Sequence, residues 1–154
     1  MADLQVQIVD LEPFRVACVN GFGSEPEPIA IQKMLDWAKE IGLLKDGKLH
    51  RFFGHNHPDP APSSPNYGYD LWVTVGPEIA AKGEVEVKDF PGGRYAVTRC
   101  VGVDRIETTW GQLALWLENS RYQMGGHQWL EEHLSPLDAP LEQFMLDLYM
   151  PIRE

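Results

Sequence analysis

The chain has 154 residues, of which 44% are hydrophobic and 23% charged, and its net charge at pH 7 is -10. This length fits one compact domain, and the composition excludes an intrinsically disordered chain. The acidic excess and the lack of a Lys- or Arg-rich run argue against direct binding of nucleic acid. No apolar run is long enough to cross a bilayer, and the first residues do not resemble a signal peptide. We therefore expect a cytoplasmic protein without a membrane partner.

The first half of the chain predicts one helix between strands. Residues 14–19 predict a strand, the segment NGFG after it predicts a turn, and residues 24–27 resemble a capping box that opens a helix. Apolar residues then recur at helical spacing until Gly42, which is placed to end the helix. These residues are Ala30, Met34, Trp37, Ala38 and Ile41. Residues 51–57 and 69–75 predict two strands, joined by the Pro-rich segment PDPAPSSP.

The second half predicts the same order of elements. A turn at residues 91–93 precedes a strand over residues 94–101, and residues 104–107 form a second predicted capping box. The helix that follows has a predicted buried stripe of Ile106, Trp110, Leu113 and Leu117. Residues 127–134 and 144–152 predict two final strands, joined by the segment SPLDAP. Between the halves, residues 85–88 predict a short connecting strand.

The two halves also resemble each other residue by residue. A shift of 79 positions places Trp37 on Trp116, and a shift of 77 positions places Trp72 on Tyr149. The small change of shift corresponds to a difference in loop length. We interpret the chain as one domain over residues 1–154, made of two βαββ pseudo-repeats that cover about residues 1–80 and about residues 81–154.

This order of elements predicts an α+β fold. A unit with a single helix covers one face of its strands, so two such units are expected to pair side by side. The result is one mainly antiparallel curved sheet with both helices on one face. The other face is then available for a ligand groove.

Alternation along the strands predicts which side chains occupy that open face. In residues 144–152 and 69–75, one set of alternating residues is apolar and belongs to the core. In residues 127–134 we place Leu130 and Leu134 in the core, which turns their neighbours outward. The expected open-face residues are Asp70, Trp72, Thr74, Trp129, Glu131, His133, Met145, Asp147 and Tyr149. Glu132 shares the alternation of the leucines and would need a strand end or a bulge to avoid burial, so it stays an alternative to Glu131.

The expected open face combines aromatic rings with one carboxylate. Ring faces attract flat or cationic ligands, and a poorly solvated Glu can pair with a cation or take up a proton. The same Glu could act as a general base toward water. The competing interpretations are ordinary sheet packing for Trp72, Trp129 and Tyr149, and a solvated surface position for Glu131.

The cysteines and histidines do not predict a metal or cofactor site. Cys18 and Cys100 are the only cysteines, and each lies in an apolar stretch typical of a buried thiol. His55 and His57 share one face of a predicted strand, and His133 could lie near them, but a third ligand of known geometry is missing. A polar strand end or turn is the favoured interpretation. We expect no cofactor and no bound metal.

Several segments together resemble the GyrI-like family of small-molecule-binding domains. They are GGRYAV followed by VG, a helix with TW..L..WL..S.Y, then QWLEEHLSP and a terminal LDLYMPI. The first-half stretch FFGHNHPDPAPSSPNYGYDLWVTV is similar to free-standing members. The resemblance implies a duplicated βαββ fold with a central groove. In that family's multidrug-sensing regulators, cationic aromatic drugs bind against a buried Glu on a late strand, in a pattern resembling Glu-x-Tyr that Glu131 and His133 match best here.

The resemblance implies three possible functions. The first is a binding protein for hydrophobic or cationic small molecules, with Glu131 as the anchor. Trp72, Trp129 and Tyr149 would form its walls, with His133, Asp147 and Met145 as further ligand contacts. The second is a hydrolase that detoxifies cyclopropane-bearing DNA-alkylating natural products, with Glu131 as the catalytic residue. The third is a protein-interaction module similar to the gyrase inhibitor.

Overall fold

The strands and helices were located in a computed structural model that describes residues 4–57 and 63–154. Most of the predicted loop PDPAPSSP, residues 58–62, lies outside the described residues. The chain forms two compact units. One consists of residues 14–90, and the other combines residues 1–13 with residues 91–154. We call them the 14–90 unit and the 91–154 unit.

The fold is α+β with antiparallel strand pairing in both units, as predicted. In chain order the strands are β1 (Gln7–Leu11), β2 (Phe14–Gly23), β3 (Phe52–Asn56), β4 (Tyr67–Thr74), β5 (Glu86–Phe90), β6 (Gly93–Val101), β7 (Gln123–Met124), β8 (Leu130–His133) and β9 (Met145–Arg153). The helices are α1 (Pro26–Ile41) and α2 (Ile106–Glu118). In the described part of the chain, neither helix is long and apolar enough to cross a membrane.

In the 14–90 unit the strand order is β3-β4-β2-β5, with α1 packed against one face. Strand β2 continues through NGFG, where the sequence predicts a turn. The glycine at position 21 allows α1 to approach this strand closely, because a Cβ there would clash with the backbone oxygen of Pro26 and lie 2.7 Å from the backbone nitrogen of Ala30. The strand therefore passes directly beneath the first turn of α1.

The predicted C-terminal end of α1 is correct, but the capping boxes predicted at the N-termini of both helices are not. Gly42 adopts the left-handed conformation with φ 68° and ends α1 as predicted. Neither predicted capping box forms. Each helix begins two residues after the first residue of its predicted box, so Glu25 and Arg105 occupy the capping positions of α1 and α2. Neither makes a capping hydrogen bond through its side chain. At α1, Pro26 at the first helical position has no backbone N–H to satisfy.

In the 91–154 unit the strand order is β1-β6-β9-β8, and the short β7 also pairs with β9. Strand β1 was not predicted from the sequence. Helix α2 packs on one face, where Leu113 and Leu117 meet the apolar residues of β6 and β9. Of the predicted stripe on α2, Ile106 and Trp110 are half-buried at the edge of this core.

The strand-helix-strand-strand order predicted for each half is present in both units, but the duplication itself stays a prediction. The predicted connecting strand forms as β5, which pairs with β2 and so belongs to the 14–90 unit. Strand β1 precedes the 14–90 unit in the chain but pairs with β6.

Candidate functional site

The register of β8 against β9 decides which side chains share a face. Glu131 lies opposite Leu148, and Glu132 lies opposite Asp147. Directly paired residues of antiparallel strands project to the same face. Leu148 belongs to the core beneath α2, so Glu131 faces the helix. His133, two residues further along the strand, faces the helix as well. Glu132 projects to the opposite side, which we call the open face of the unit.

This register corrects the face assignment made from the sequence by one residue. Trp129, Glu131 and His133 were expected on the open face, with Leu130 in the core beneath the helix. Leu130 is fully buried, but it lies opposite Tyr149 on the open face. Burial of an apolar residue therefore did not identify the helix side, because the open face also contains buried apolar side chains.

Glu132 is a buried carboxylate on the open face of the 91–154 unit, and only 7% of its surface is exposed. Tyr149 donates a hydrogen bond from its hydroxyl to Glu132 Oε1 at 2.7 Å and is itself 4% exposed. A buried carboxylate is costly unless hydrogen-bond donors satisfy it. The hydroxyl of Tyr149 explains how the strand accommodates Glu132 without the bulge or strand end considered from the sequence.

Tyr95 extends this cluster on the same face. Its ring meets the ring of Tyr149 edge to face, with centroids 5.5 Å apart, and the ring of His127 at 4.7 Å. The hydroxyl of Tyr95 donates to the backbone oxygen of Gln128. Burial raises the pKa of Tyr95 above its ordinary value, so its hydroxyl stays protonated at neutral pH. We call Glu132, Tyr149 and Tyr95 the Glu132 cluster.

Asp147 and Met145 lie on the open face, as the sequence predicted. Arg99 of β6 donates from Nε to Asp147 Oδ1 at 3.1 Å, and the carboxylate of Asp147 raises the pKa of the Arg99 guanidinium. The charge of Asp147 is therefore balanced by a neighbouring cation. Met145 is half-buried at the start of β9. Ligand contacts by these two residues stay a prediction.

Trp129, Glu131 and His133 form contacts on the α2 side instead. Trp110 of α2 donates from Nε1 to Glu131 Oε2 at 3.4 Å, and its ring centroid lies 5.2 Å from that of Trp129, which is 38% exposed. His133 meets the ring of Phe144 at 6.2 Å. Burial lowers the pKa of His133 to about 4, against a smaller opposing effect of Glu132. His133 is therefore neutral at pH 7.

Trp72 lies in the 14–90 unit on the face opposite α1. Tyr67 and Trp72 are five residues apart on β4, so their side chains project to opposite faces of the strand. The hydroxyl of Tyr67 donates to Glu27 of α1, which shows that Tyr67 is on the helix side. Trp72 is buried between His55 and Phe90, with ring centroids at 5.2 and 5.6 Å. Lys88 Nζ lies 4.6 Å from the centre of the indole ring. Trp72 thus already holds a cation of its own chain.

A cavity of about 260 Å³ opens in the 14–90 unit. It is lined by Cys18, Val19, Asn20, His57, Asp70, Glu84 and Glu86. The sequence predicted an open-face position for Asp70, but it gave no signal for Asn20, Glu84 or Glu86. Among the residues that the structure describes, no group of His, Cys, Asp and Glu side chains has the arrangement of a metal site.

Both cysteines are buried, as predicted. Burial is the main cause that raises the pKa of the Cys18 thiol to about 12, and the nearby carboxylate of Asp70 adds to it. A thiol with this pKa is almost entirely protonated at neutral pH and is a poor nucleophile. Cys18 therefore lines the cavity as an inert side chain.

Residues 4–153 match the family of the GyrI-like small-molecule-binding domain. Solved structures share the fold at low sequence identity. EcmrR, seen in its DNA complex, has 12% identity and a TM-score of 0.73, and the match covers 97% of this chain and 57% of the EcmrR chain. A hydrolase from Listeria innocua has 14% identity and a TM-score of 0.70, and the match covers 99% of this chain and 94% of the other.

A further solved structure, SAV2435 bound to tetraphenylphosphonium, has 14% identity and a TM-score of 0.60. The match covers 97% of this chain and 94% of the SAV2435 chain. A comparison with curated protein sequences gives no match. At these identities the solved structures establish a common fold, whereas the family match spans nearly the whole chain. The chain belongs to the GyrI-like family of small-molecule-binding domains.

Proposed function

We propose that the chain binds hydrophobic cations on the open face of the 91–154 unit, with Glu132 as the anchoring carboxylate. The observation that supports this proposal is the 2.7 Å hydrogen bond from Tyr149 to a Glu132 carboxylate that is almost fully buried. Glu132 takes the place that the sequence gave to Glu131, because Glu131 faces α2.

The chemistry of the Glu132 cluster favours a cation with apolar substituents. A carboxylate in a poorly solvated setting interacts strongly with a nearby positive charge. Tyr95 is fully buried against Tyr149 and fixes the position of its ring, so the edge of Tyr149 that stays exposed is the aromatic surface beside Glu132. Asp147 is already paired with Arg99, so a ligand gains more from Glu132 than from Asp147.

The comparisons support the same class of ligand. The family is described as binding small molecules, and SAV2435 was solved with tetraphenylphosphonium, a large hydrophobic cation. This compound is a suitable probe because it has no hydrogen-bond donor, so its binding measures charge and apolar contact alone.

The test is isothermal titration calorimetry with tetraphenylphosphonium and a matched pair of variants. Glu132→Gln removes the charge and keeps an oxygen that accepts the hydrogen bond from Tyr149, whereas Glu131→Gln makes the same change on the α2 side. We expect Glu132→Gln to raise Kd about tenfold or more, which corresponds to about 1.4 kcal/mol. Glu131→Gln is expected to change Kd less than about twofold. Equal losses in both variants, or a larger loss for Glu131→Gln, would refute the assignment of the anchor.

A second candidate function is hydrolysis of cyclopropane-bearing electrophiles. It is favoured by a carboxylate held in place by Tyr149 and by the Listeria innocua neighbour described as a hydrolase. In this reaction Glu132 would accept a proton from water while the water oxygen bonds to a ring carbon. The ring carbon-carbon bond breaks, and its electron pair moves into the conjugated carbonyl, which takes up a proton.

Mass spectrometry distinguishes the two functions. A hydrolase converts the cyclopropane compound into a product heavier by one water, at a rate that Glu132→Gln abolishes. A binding protein returns the compound unchanged. Ring opening that persists in Glu132→Gln would exclude Glu132 as the base.

A further inference from the structure

A row of three charged side chains crosses the open face of the 91–154 unit. Arg99 of β6 pairs directly with Asp147 of β9, and Asp147 pairs on its other side with Glu132 of β8. Directly paired residues of antiparallel strands project to the same face, with Cβ atoms about 4.5–5.5 Å apart. The row therefore contains two adjacent carboxylates with a guanidinium at one end.

Arg99 balances the charge of the middle carboxylate through two hydrogen bonds. Its Nε donates to Asp147 Oδ1 at 3.1 Å, and its Nη2 donates to Asp147 Oδ2 at 3.5 Å. A guanidinium that donates to both oxygens of a carboxylate is held in one geometry and competes with any further cation. The side chain of Arg99 is 59% exposed and that of Asp147 is 17% exposed, so this ion pair borders solvent.

The positive charge of Arg99 also acts on Glu132. The hydrogen bond to Asp147 is the main cause that raises the pKa of the Arg99 guanidinium, and the carboxylate of Glu132 acts in the same direction. Since Coulomb interactions are mutual, Arg99 weakens the attraction of Glu132 for another cation. Two carboxylates and one guanidinium leave a single net negative charge on the row. That charge balances a monocation and leaves a dication only half balanced.

We propose that Arg99 restricts binding at the Glu132 cluster to ligands with a single positive charge. This inference rests on the proposed binding of cations at Glu132. A dication would bring its second charge close to the guanidinium, and the repulsion grows with the product of the charges. Without Arg99, Asp147 becomes a second anchor beside Glu132, and the open face then favours a dication. Arg99 is thus a residue that determines specificity.

The test compares two flat cations of similar size by isothermal titration calorimetry at low ionic strength, where exposed charges are least screened. N-methyl-4-phenylpyridinium has one positive charge, and N,N′-dimethyl-4,4′-bipyridinium has two. Neither ion donates an N–H, so the ratio of their Kd values measures the response to charge. We expect the original protein to bind the monocation at least as tightly as the dication. Arg99→Gln is expected to shift the ratio toward the dication about threefold or more.

Two further variants distinguish the charge of Arg99 from a structural role. Arg99→Lys keeps the positive charge and is expected to keep the ratio of Kd values within about twofold of the original. The double variant Arg99→Gln/Asp147→Asn removes one charge of each sign and is expected to return the ratio to near its original value. An unchanged ratio in Arg99→Gln, the same shift in Arg99→Lys, or a shift that persists in the double variant would overturn the proposal.

The outcomes separate this inference from the proposed function. If Glu132→Gln weakens binding of N-methyl-4-phenylpyridinium and Arg99→Gln leaves the ratio unchanged, the anchor is correct and the selection by Arg99 is wrong. If the original protein binds neither cation, or Glu132→Gln binds the monocation as tightly as the original, both are rejected. Arg99 is exposed on β6, so we expect Arg99→Gln to fold, with the circular dichroism spectrum of the original protein.

Discussion

The hydroxyl of Tyr149 on β9 donates to Glu132 Oε1 on β8 at 2.7 Å, and both side chains are buried. This contact, together with the pairing of Glu132 opposite Asp147, places Glu132 on the open face and Glu131 toward α2. It therefore decides which of two adjacent glutamates lies on the open face, where we propose that the ligand binds.

Replacement of Tyr149 by Phe tests how much this hydrogen bond stabilises the fold. The variant leaves the buried carboxylate of Glu132 without one of its donors, and hydrogen bonds to charged groups contribute about 1.5–3 kcal/mol. We expect Tyr149→Phe to lower the free energy of unfolding by about that amount, measured by urea denaturation.

Tyr122→Phe is the matched control, because the hydroxyl of Tyr122 accepts an exposed hydrogen bond from Arg121. Its expected loss is below about 0.5 kcal/mol. If Tyr149→Phe were as stable as Tyr122→Phe, the hydrogen bond to Glu132 would not contribute to stability.

The lowered pKa of His133 predicts that the folded protein loses stability in acid. Its pKa is about 4 in the folded protein, against 6.5 as the ordinary value. As the pH falls from about 6.5 to about 4, the unfolded chain takes up a proton that the folded protein does not, so the folded state loses stability. The free energy of unfolding that is lost through His133 is at most roughly 3 kcal/mol. None of it is lost above about pH 6.5.

The measurement compares His133→Leu with the original protein by urea denaturation at pH 7 and pH 4.5. Carboxylates affect both proteins alike, so the difference between their pH dependences reports His133. We expect His133→Leu to lose less stability between the two pH values. The same loss in both proteins would contradict the lowered pKa.

Replacement of glycine by alanine is expected to have opposite effects on stability at positions 21 and 111. Gly21→Ala places a Cβ against the backbone of Pro26 and Ala30, and backbone atoms cannot move aside as a flexible side chain does. We expect a loss of several kcal/mol or a failure to fold. In Gly111→Ala, on α2, the added Cβ meets nothing within 4 Å. Since Ala is the better helix former, we expect a gain of about 0.5–1 kcal/mol.

Thermal unfolding of the two alanine variants provides the readout. A melting temperature of Gly21→Ala close to that of the original protein would mean that β2 and α1 can separate without cost. That result would contradict their close packing.

The buried thiols predict slow labelling. The pKa of Cys18 is about 12, so at pH 8 only about one thiol in ten thousand is ionised there. Cys100 is also buried. We expect Ellman's reagent to leave the native protein almost unlabelled over minutes and to label both cysteines in guanidinium chloride. Rapid labelling of one thiol in the native protein would show an accessible cysteine.

The sequence predicted the elements better than their ends. The apolar spacing from Ala30 to Ala38 identified α1, and Gly42 identified where it stops. The capping boxes failed because the pattern of residue types does not specify the backbone entry into a helix. The predicted turn at NGFG failed because Gly21 serves the approach of α1 and not a reversal of the chain.

Local sequence determined the α+β class, the order of the helices and of the strands other than β1 and β7, and the alternating faces of β4 and β9, because these follow from the periodicity of apolar residues. The face of β8 was decided by tertiary structure. Its four residues include two adjacent glutamates, and both faces of its sheet are buried, so alternation alone cannot distinguish them. Pairing with β9 and the hydroxyl of Tyr149 placed Glu132 on the open face, since only there does the buried carboxylate meet that donor.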